Sequence, residues 1–355
     1  MRKFKSLLVA FVLVIFATST LLAGCAKKTE EPAKQEETKK IKVGLVFDVG
    51  GRGDKSFNDA AYAGLERAQK EFGDKIEVKY LEPLAGGENR EQLLRLLARD
   101  KYDLVFGVGF MFTDAIAKVA KDFPETKFAL IDGYVPDLKE DSNITCLLFK
   151  EHEGSFLVGA AAALKSKTGK IGFVGGMKIP LIEKFEAGYI AGAKYINPNI
   201  QVLSDYIGTT GDAFKDPVKG KELTLKQIKN GADVIYHASG ASGVGVIEAA
   251  ASQKKFVIGV DSDQSLTAPE AQRPYILTSM LKRVDTAVFE TIKSMVENNF
   301  KGGYKEFGLK ENGVGYAENE FNKDLIADIK PRLEEIKTKI INGEIKVPTS
   351  KKEIK

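Results

Sequence analysis

The residues of this chain best suited to chemistry are aspartates, glycines and phenylalanines that follow short apolar runs. "GLVFD" ends at Asp48, "FALID" at Asp132 and "VIGVD" at Asp261. "LVFGVG" is followed at once by Phe110 and Phe112, and "VIYHASG" closes on Ser239 and Gly240. Phe57 and Asn58 lie in "KSFND", one short loop beyond Asp48. A carboxylate accepts two hydrogen bonds from a diol. A phenylalanine face stacks on a planar base or a pyranose. Glycine lets backbone approach a ligand closely. The combination suits a neutral, hydroxyl-bearing ligand with a flat ring. Three aspartates repel a phosphate, so nucleosides and sugars are favoured over nucleotides.

Other chemistries fit less well. Residues 48–58, "DVGGRGDKSFN", look like a phosphate loop, but that loop needs Lys straight after its second Gly. Here Gly53 is followed by Asp54, and the spacing from Gly50 or Gly51 is too short. "RGD" is a three-residue match that opens no separate module, and the calcium-loop pattern lacks its terminal Glu. The middle of the stretch reads as a flexible glycine turn. Only His152 and His237 are present, with no metal-ligating cluster and no G-x-S-x-G elbow. No cofactor or metal is implied. An aspartate-rich nucleoside hydrolase is the enzymatic alternative.

The elements that must position these residues are legible from periodicity. From residue 41, runs nearly continuous in Val, Ile, Leu and Phe alternate with amphipathic stretches. Such runs read as strands buried on both faces, as in parallel sheets covered by helices. "SFNDAAYAGLERAQKEF" places Ala61, Gly64, Leu65, Ala68 and Phe72 on one helical side. Ser56 is its predicted N-cap, with Asp59 as a weak capping box. The alternation predicts a doubly wound α/β fold with right-handed crossovers. In open parallel sheets, ligands bind beyond the carboxyl ends of strands, where the aspartates, glycines and aromatics gather. Two sets of units break near 145–155. Around 276–318 the pattern changes, as if the chain returned to the first set and crossed again. A final helix is expected over roughly 322–342, then a polar tail.

At 355 residues the chain is long enough for about two domains. Its formal charge of +4 includes Arg2, Lys3 and Lys5, so the remainder is nearly neutral. Nucleic-acid binding through bulk charge is disfavoured. "MRKFK" followed by an apolar stretch reads as a signal peptide, with an uncleaved membrane anchor as the alternative. "LAGC" resembles the bacterial lipoprotein signal, which implies cleavage before Cys25 and lipid on that residue. Residues 26–40 carry no apolar side chain larger than alanine and read as a flexible tether. The other cysteine, Cys146, then has no disulfide partner and reads as a buried, inert thiol.

At these motifs a family resemblance appears. "GLVFDVGGRGDKSFNDAAYAGLERA", "GVGFMFTDAI", "FALIDG", "EGSFLVGAAAALKSKTGKIGFVGGM", "GDAFKDP", "GADVIYHASGASGVGVIEAA", "VIGVDSDQ" and "TSMLKRVD" resemble the basic membrane protein family, over about residues 41–340. These are lipid-anchored substrate-binding proteins of the purine nucleoside receptor type that serve ABC importers. The resemblance implies a type I periplasmic-binding fold: two parallel-sheet lobes joined by three hinge crossovers. The expected boundaries are a signal over 1–24 and a lipidated tether over 25–40. One lobe covers 41–148 and 280–312, the other 149–279 and 313–345, and a polar tail 346–355. Carried over by motif, Phe57 and Phe214 would sandwich a base whose edge meets Asp48 and Asn58. Asp132, Gly240, Asp261 and Lys282 would hold the ribose, and Phe110 and Phe112 would wall the pocket. The implied protein is a non-enzymatic monomer, anchored to the cell membrane through Cys25 on its extracytoplasmic side, with a nucleoside ligand and an ABC permease as partners. A sugar or signalling-molecule binder of the same fold is the main alternative. An intracellular regulator of this fold is disfavoured by the lipoprotein signal.

Overall fold

The computed structural model describes residues 40–354. The signal segment, Cys25 and the expected tether up to residue 39 lie outside the described residues. The first stretch alternates as periodicity predicts: β1 (Ile41–Val46), α1 (Phe57–Phe72), β2 (Ile76–Leu81), α2 (Arg90–Arg99), β3 (Leu104–Val108), α3 (Thr113–Asp122), β4 (Lys127–Ile131), β5 (Ile144–Phe149). The second repeats the pattern: α4 (Glu151–Lys165), β6 (Lys170–Met177), α5 (Pro180–Ile196), β7 (Gln201–Gly208), α6 (Pro217–Lys229), β8 (Val234–Ala238), α7 (Gly243–Ser252), β9 (Phe256–Asp261), α8 (Gln264–Thr267), β10 (Ile276–Lys282). The chain ends with α9 (Val284–Val296), β11 (Gly303–Phe307), β12 (Val314–Tyr316), α10 (Lys323–Ile326) and α11 (Lys330–Ile341).

Two sheets result. One runs β11-β5-β4-β3-β1-β2 and the other β12-β10-β9-β8-β6-β7. Every pairing is parallel except β10 with β12. β3 and β8 are buried at every position, which is why they read as unbroken apolar runs. The edge strands β2 and β7 are half exposed. Strand order reverses between β1 and β3 and, equivalently, between β6 and β8. Each reversal leaves a crevice at the carboxyl ends of the strands. The chain passes between sheets after β5, after β10 and after β11.

Some expectations need adjustment. β10 stays in the second sheet through Lys282, which pairs with Val314, so the chain crosses at Arg283 rather than at residue 280. Sheet hydrogen bonding holds the strand together past the point where the sequence pattern changes. α9 then packs on α1, with Phe72 and Phe289 stacked 5.7 Å apart. The final helix is broken in two, with Pro331 in the first turn of α11, where its missing N–H costs nothing. The segment expected as a polar tail is fastened down. Ile345 and Val347 are partly buried against the core, and Lys351 Nζ lies 2.9 Å from the buried Glu186. Among the described residues, no helix is long and apolar enough to cross a membrane.

Candidate ligand-binding site

The carboxyl ends of the two sheets face a shared cavity of about 570 Å³, part of it open to solvent. Asp48, Phe57, Asn58, Phe110 and Asp132 line it from the first sheet's loops. Phe214, Gly240, Asp261 and Lys282 line it from the second. Phe110 and Phe214 meet across the cleft edge to face, with ring centroids 6.5 Å apart. Phe214 ends a 3₁₀ turn, Gly211–Phe214, and its ring lies over Gly176. A Cβ at Gly176 would fall 2.3 Å from that ring, so glycine at the end of β6 makes the space for it.

Phe112 is not a pocket wall. It is fully buried in the first lobe's core beside Ile116, Val119 and Phe128, with the Arg90 guanidinium 5.5 Å from its ring. Phe110 and Phe112 share one 3₁₀ turn, and residues two apart along such a turn point about 120° from each other. Phe110 faces the cleft and Phe112 the core.

The loop between β1 and α1 is ordered by Asp54, which also lines the cavity. Its carboxylate accepts from the backbone N–H of Ser56 (2.9 Å), Asn58 (2.8 Å) and Asp59 (3.1 Å), and from Asn58 Nδ2 (3.1 Å). Asp54 therefore caps α1, the role predicted for Ser56. That frees the Ser56 hydroxyl to donate across the cleft to Asp261 Oδ2 at 2.5 Å. Asp59 turns back to accept from Gly53 and Lys55 N–H, both at 2.9 Å. Arg52 lies 3.4 Å from the Tyr62 ring centroid. The glycine turn is thus a tied structure, not a flexible one. Asn58 Oδ1 accepts from the Asp48 N–H at 2.9 Å, linking the two candidate base-edge residues.

Lys282 is the cation of the site. It is buried, bonds Asp132 Oδ2, and lies 3.7 Å from Glu151 Oε1 and 5.0 Å from the Phe57 ring centroid. Burial opposes its charge, but Asp132, Glu151 and Asp261 outweigh burial and push its pKa up. Among the described residues, nothing hydrogen-bonds Asp132 Oδ1. Burial raises the Asp48 pKa to about 6 and the Asp54 pKa to about 7, against the pull of the N–H groups they accept from and, for Asp48, of Arg90. Burial raises that of Asp261 too, opposed by Lys282 and the Ser56 hydroxyl.

Sequence reasoning passed over Asp54, Glu151, Arg90 and Phe185. Asp54 carried a usable signal, an aspartate a few residues ahead of an apolar helix. Glu151 carried none, because its partner cations arrive from α5 and β10. Neither histidine lines the cavity. His237 is buried, with Nε2 2.8 Å from Gln264 Oε1 and Nδ1 3.2 Å from the Ser239 hydroxyl. Among the described residues no His, Cys, Asp and Glu cluster is arranged to hold a metal ion. The arrangement can stack, accept and donate hydrogen bonds, and enclose.

Residues 41–351 match the family described as ABC transporter substrate-binding protein, PnrA-like. The CD4+ T-cell-stimulating antigen of Listeria innocua is 35% identical, over 94% of this chain and 96% of that protein. Basic membrane protein B of Borreliella burgdorferi is 34% identical, over 96% of each. Among solved structures, an ABC transporter system solute-binding protein from Aeropyrum pernix K1 superposes with a TM-score of 0.77 at 33% identity, covering 88% of this chain and 95% of that one. With two parallel-sheet lobes of the type I periplasmic binding fold facing one cleft, the chain belongs to the PnrA-like family of ABC transporter substrate-binding proteins, extracytoplasmic carriers of a small solute.

Proposed function

We propose that the solute is a nucleoside, with purine nucleosides the best fit, and that lipid on Cys25 holds the mature protein at the cell membrane beside its permease. The observation that carries the ligand reading is a cavity lined by phenylalanines and aspartates from both lobes. Phe57 and Phe214 take the base between them, with Phe110 as a further wall. Asp48 and Asn58 meet the base edge. Asp132, Gly240, Asp261 and Lys282 take the ribose. The free Asp132 Oδ1 beside the Lys282 ammonium offers an acceptor next to a donor, which suits a hydroxyl that does both.

Stacking contributes about 1–3 kcal/mol per aromatic contact. Hydrogen bonds to charged groups contribute roughly 1.5–3 kcal/mol each. Because the contacts come from both lobes, the ligand favours closure by its differential affinity for the closed state. The closed form is the one offered to the permease.

Calorimetry against adenosine, guanosine, inosine, cytidine, ribose and galactose tests the ligand. Nucleosides should bind and the free sugars should not; binding of sugars alone would make this a sugar carrier of the same fold. For the anchor, mass spectrometry of the mature protein's N-terminal peptide should find it starting at a lipid-bearing Cys25; an unmodified Cys25 would remove the anchor.

A further inference from the structure

We propose that Arg90 decides which base edge the site accepts, by holding Asp48 as an acceptor only, and so favours nucleosides that present a ring N–H, as 6-oxopurines do. This rests on the nucleoside reading, with Asp48 at the base edge.

Arg90 is the first residue of α2 and does not line the cavity. It acts through Asp48. Its Nη2 donates to Asp48 Oδ1 at 3.1 Å, and its Nη1 donates to the Gly87 carbonyl at 3.0 Å. Met111 Sδ lies 3.5 Å from Nη2, and the buried Phe112 ring backs the guanidinium. Gly87 has φ +77°, and a Cβ there would fall 2.2 Å from Arg90 Cζ. The turn before α2 is therefore shaped to admit the guanidinium. The side chains of the pair are only 12% and 11% exposed, so solvent screens them weakly.

The two oxygens of Asp48 are used differently. Oδ1 accepts from the Val49 N–H at 2.7 Å and from Arg90, which occupies it. Among the described residues nothing donates to Oδ2, which lies against Gly109 at the cavity wall. Oδ2 is the atom left for a ligand.

Among the described residues, Arg90 and Asp132 are the charges that act on Asp48. Arg90 from α2 favours its ionised form, and Asp132 from the end of β4 opposes it. Asp54 from its own loop is linked only to the Asp48 backbone, through the Asn58 side chain that accepts from the Asp48 N–H and donates to Asp54 Oδ2. Burial raises its pKa only to about 6 because the Val49 N–H and Arg90 hold it down. At neutral pH it is a carboxylate. A carboxylate accepts from the N1–H of hypoxanthine or guanine. Adenine N1 is itself an acceptor and the donor on that edge is the neighbouring N6 amino group, so an Oδ2 placed opposite N1 sets two lone pairs against each other. A protonated Asp48 would instead donate to adenine N1.

The experiment measures inosine and adenosine affinity by calorimetry on the wild type, Arg90→Met and Arg90→Lys, at about pH 7.5 and about pH 5. The wild type at the higher pH should prefer inosine by roughly tenfold or more. Arg90→Met should lose most of that preference, and Arg90→Lys should keep much of it. Lowering the pH should narrow the preference in the wild type, which gives a readout even if Arg90→Met fails to fold. A wild type that favours adenosine, or a ratio that neither Arg90→Met nor the lower pH moves, overturns the role of Arg90 and leaves the nucleoside reading standing. If neither nucleoside binds the wild type, that reading falls and this one with it.

Discussion

Asp132 and Asp261 end equivalent strands of the two sheets in the same left-handed backbone conformation, with φ of 62° and 64°. Aspartate tolerates that region better than most residues, at a cost of about 1–2 kcal/mol. β4 and β9 hold the same place in their sheets. Each lobe thus turns one carboxylate into the cleft by the same device. Lys282, at the end of β10, bonds Asp132 and is drawn on by Asp261. One lysine at a crossover thereby joins an acid from each lobe.

Lys282→Met should be costly in the free protein as well as in binding. It leaves Asp132 and Glu151 buried without their shared cation. Removing one partner from a buried ion pair costs about 3–5 kcal/mol. The expected outcome is a clear fall in melting temperature and a loss of ligand heat in calorimetry. Lys282→Arg should not restore binding, because the rings of Phe57, Phe149 and Phe185 surround the ammonium at 5.0, 5.1 and 5.5 Å. A wild-type melting temperature for Lys282→Met would contradict this account of the site.

Phe110 and Phe112 should separate cleanly. Phe112→Ala empties a core position and should lower stability by about 3–5 kcal/mol. Phe110→Ala removes a partly exposed ring at the cleft and should lower ligand affinity with little change in the unfolding midpoint. Urea unfolding and calorimetry on both variants check the contrast. Equal effects on stability would mean that the turn presents both rings alike.

Asp54 should leave a pH signature. Its pKa is raised to about 7 by burial. An acid raised in this way contributes stability that is full below its ordinary pKa and is lost as pH rises through about 7. The loss is roughly 4 kcal/mol over that range. His152 and His237, both lowered to about 4 by burial, act in the opposite direction and the raised Asp48 and Asp261 in the same one, so the overall profile does not isolate Asp54. The difference between wild type and Asp54→Asn isolates it. Wild-type melting temperature relative to the variant should fall from about pH 4 to about pH 8. A difference that stays flat with pH would remove Asp54 as the titrating group.

The amino-acid sequence by itself determined the alternation of strand and helix, because burial on both faces of a parallel strand leaves an unbroken apolar run. β3 and β8 show this at every position. It also placed Asp48, Asp132 and Asp261 at strand ends, since a strand end is a local property. What only the tertiary structure decided depends on contacts between distant residues or on rotation about a turn. Arg90 meets Asp48 from 42 residues away. Lys282 meets Asp132 across 150, and Ser56 meets Asp261 across 205. The choice of Phe110 over Phe112 rests on the twist of one 3₁₀ turn. In "GGRGDKS" the familiar labels hid the useful residue. Asp54, an aspartate a few residues ahead of an apolar helix, was legible as a cap candidate, but that its carboxylate rather than the Ser56 hydroxyl takes the role was decided by how the turn folds back onto the start of α1.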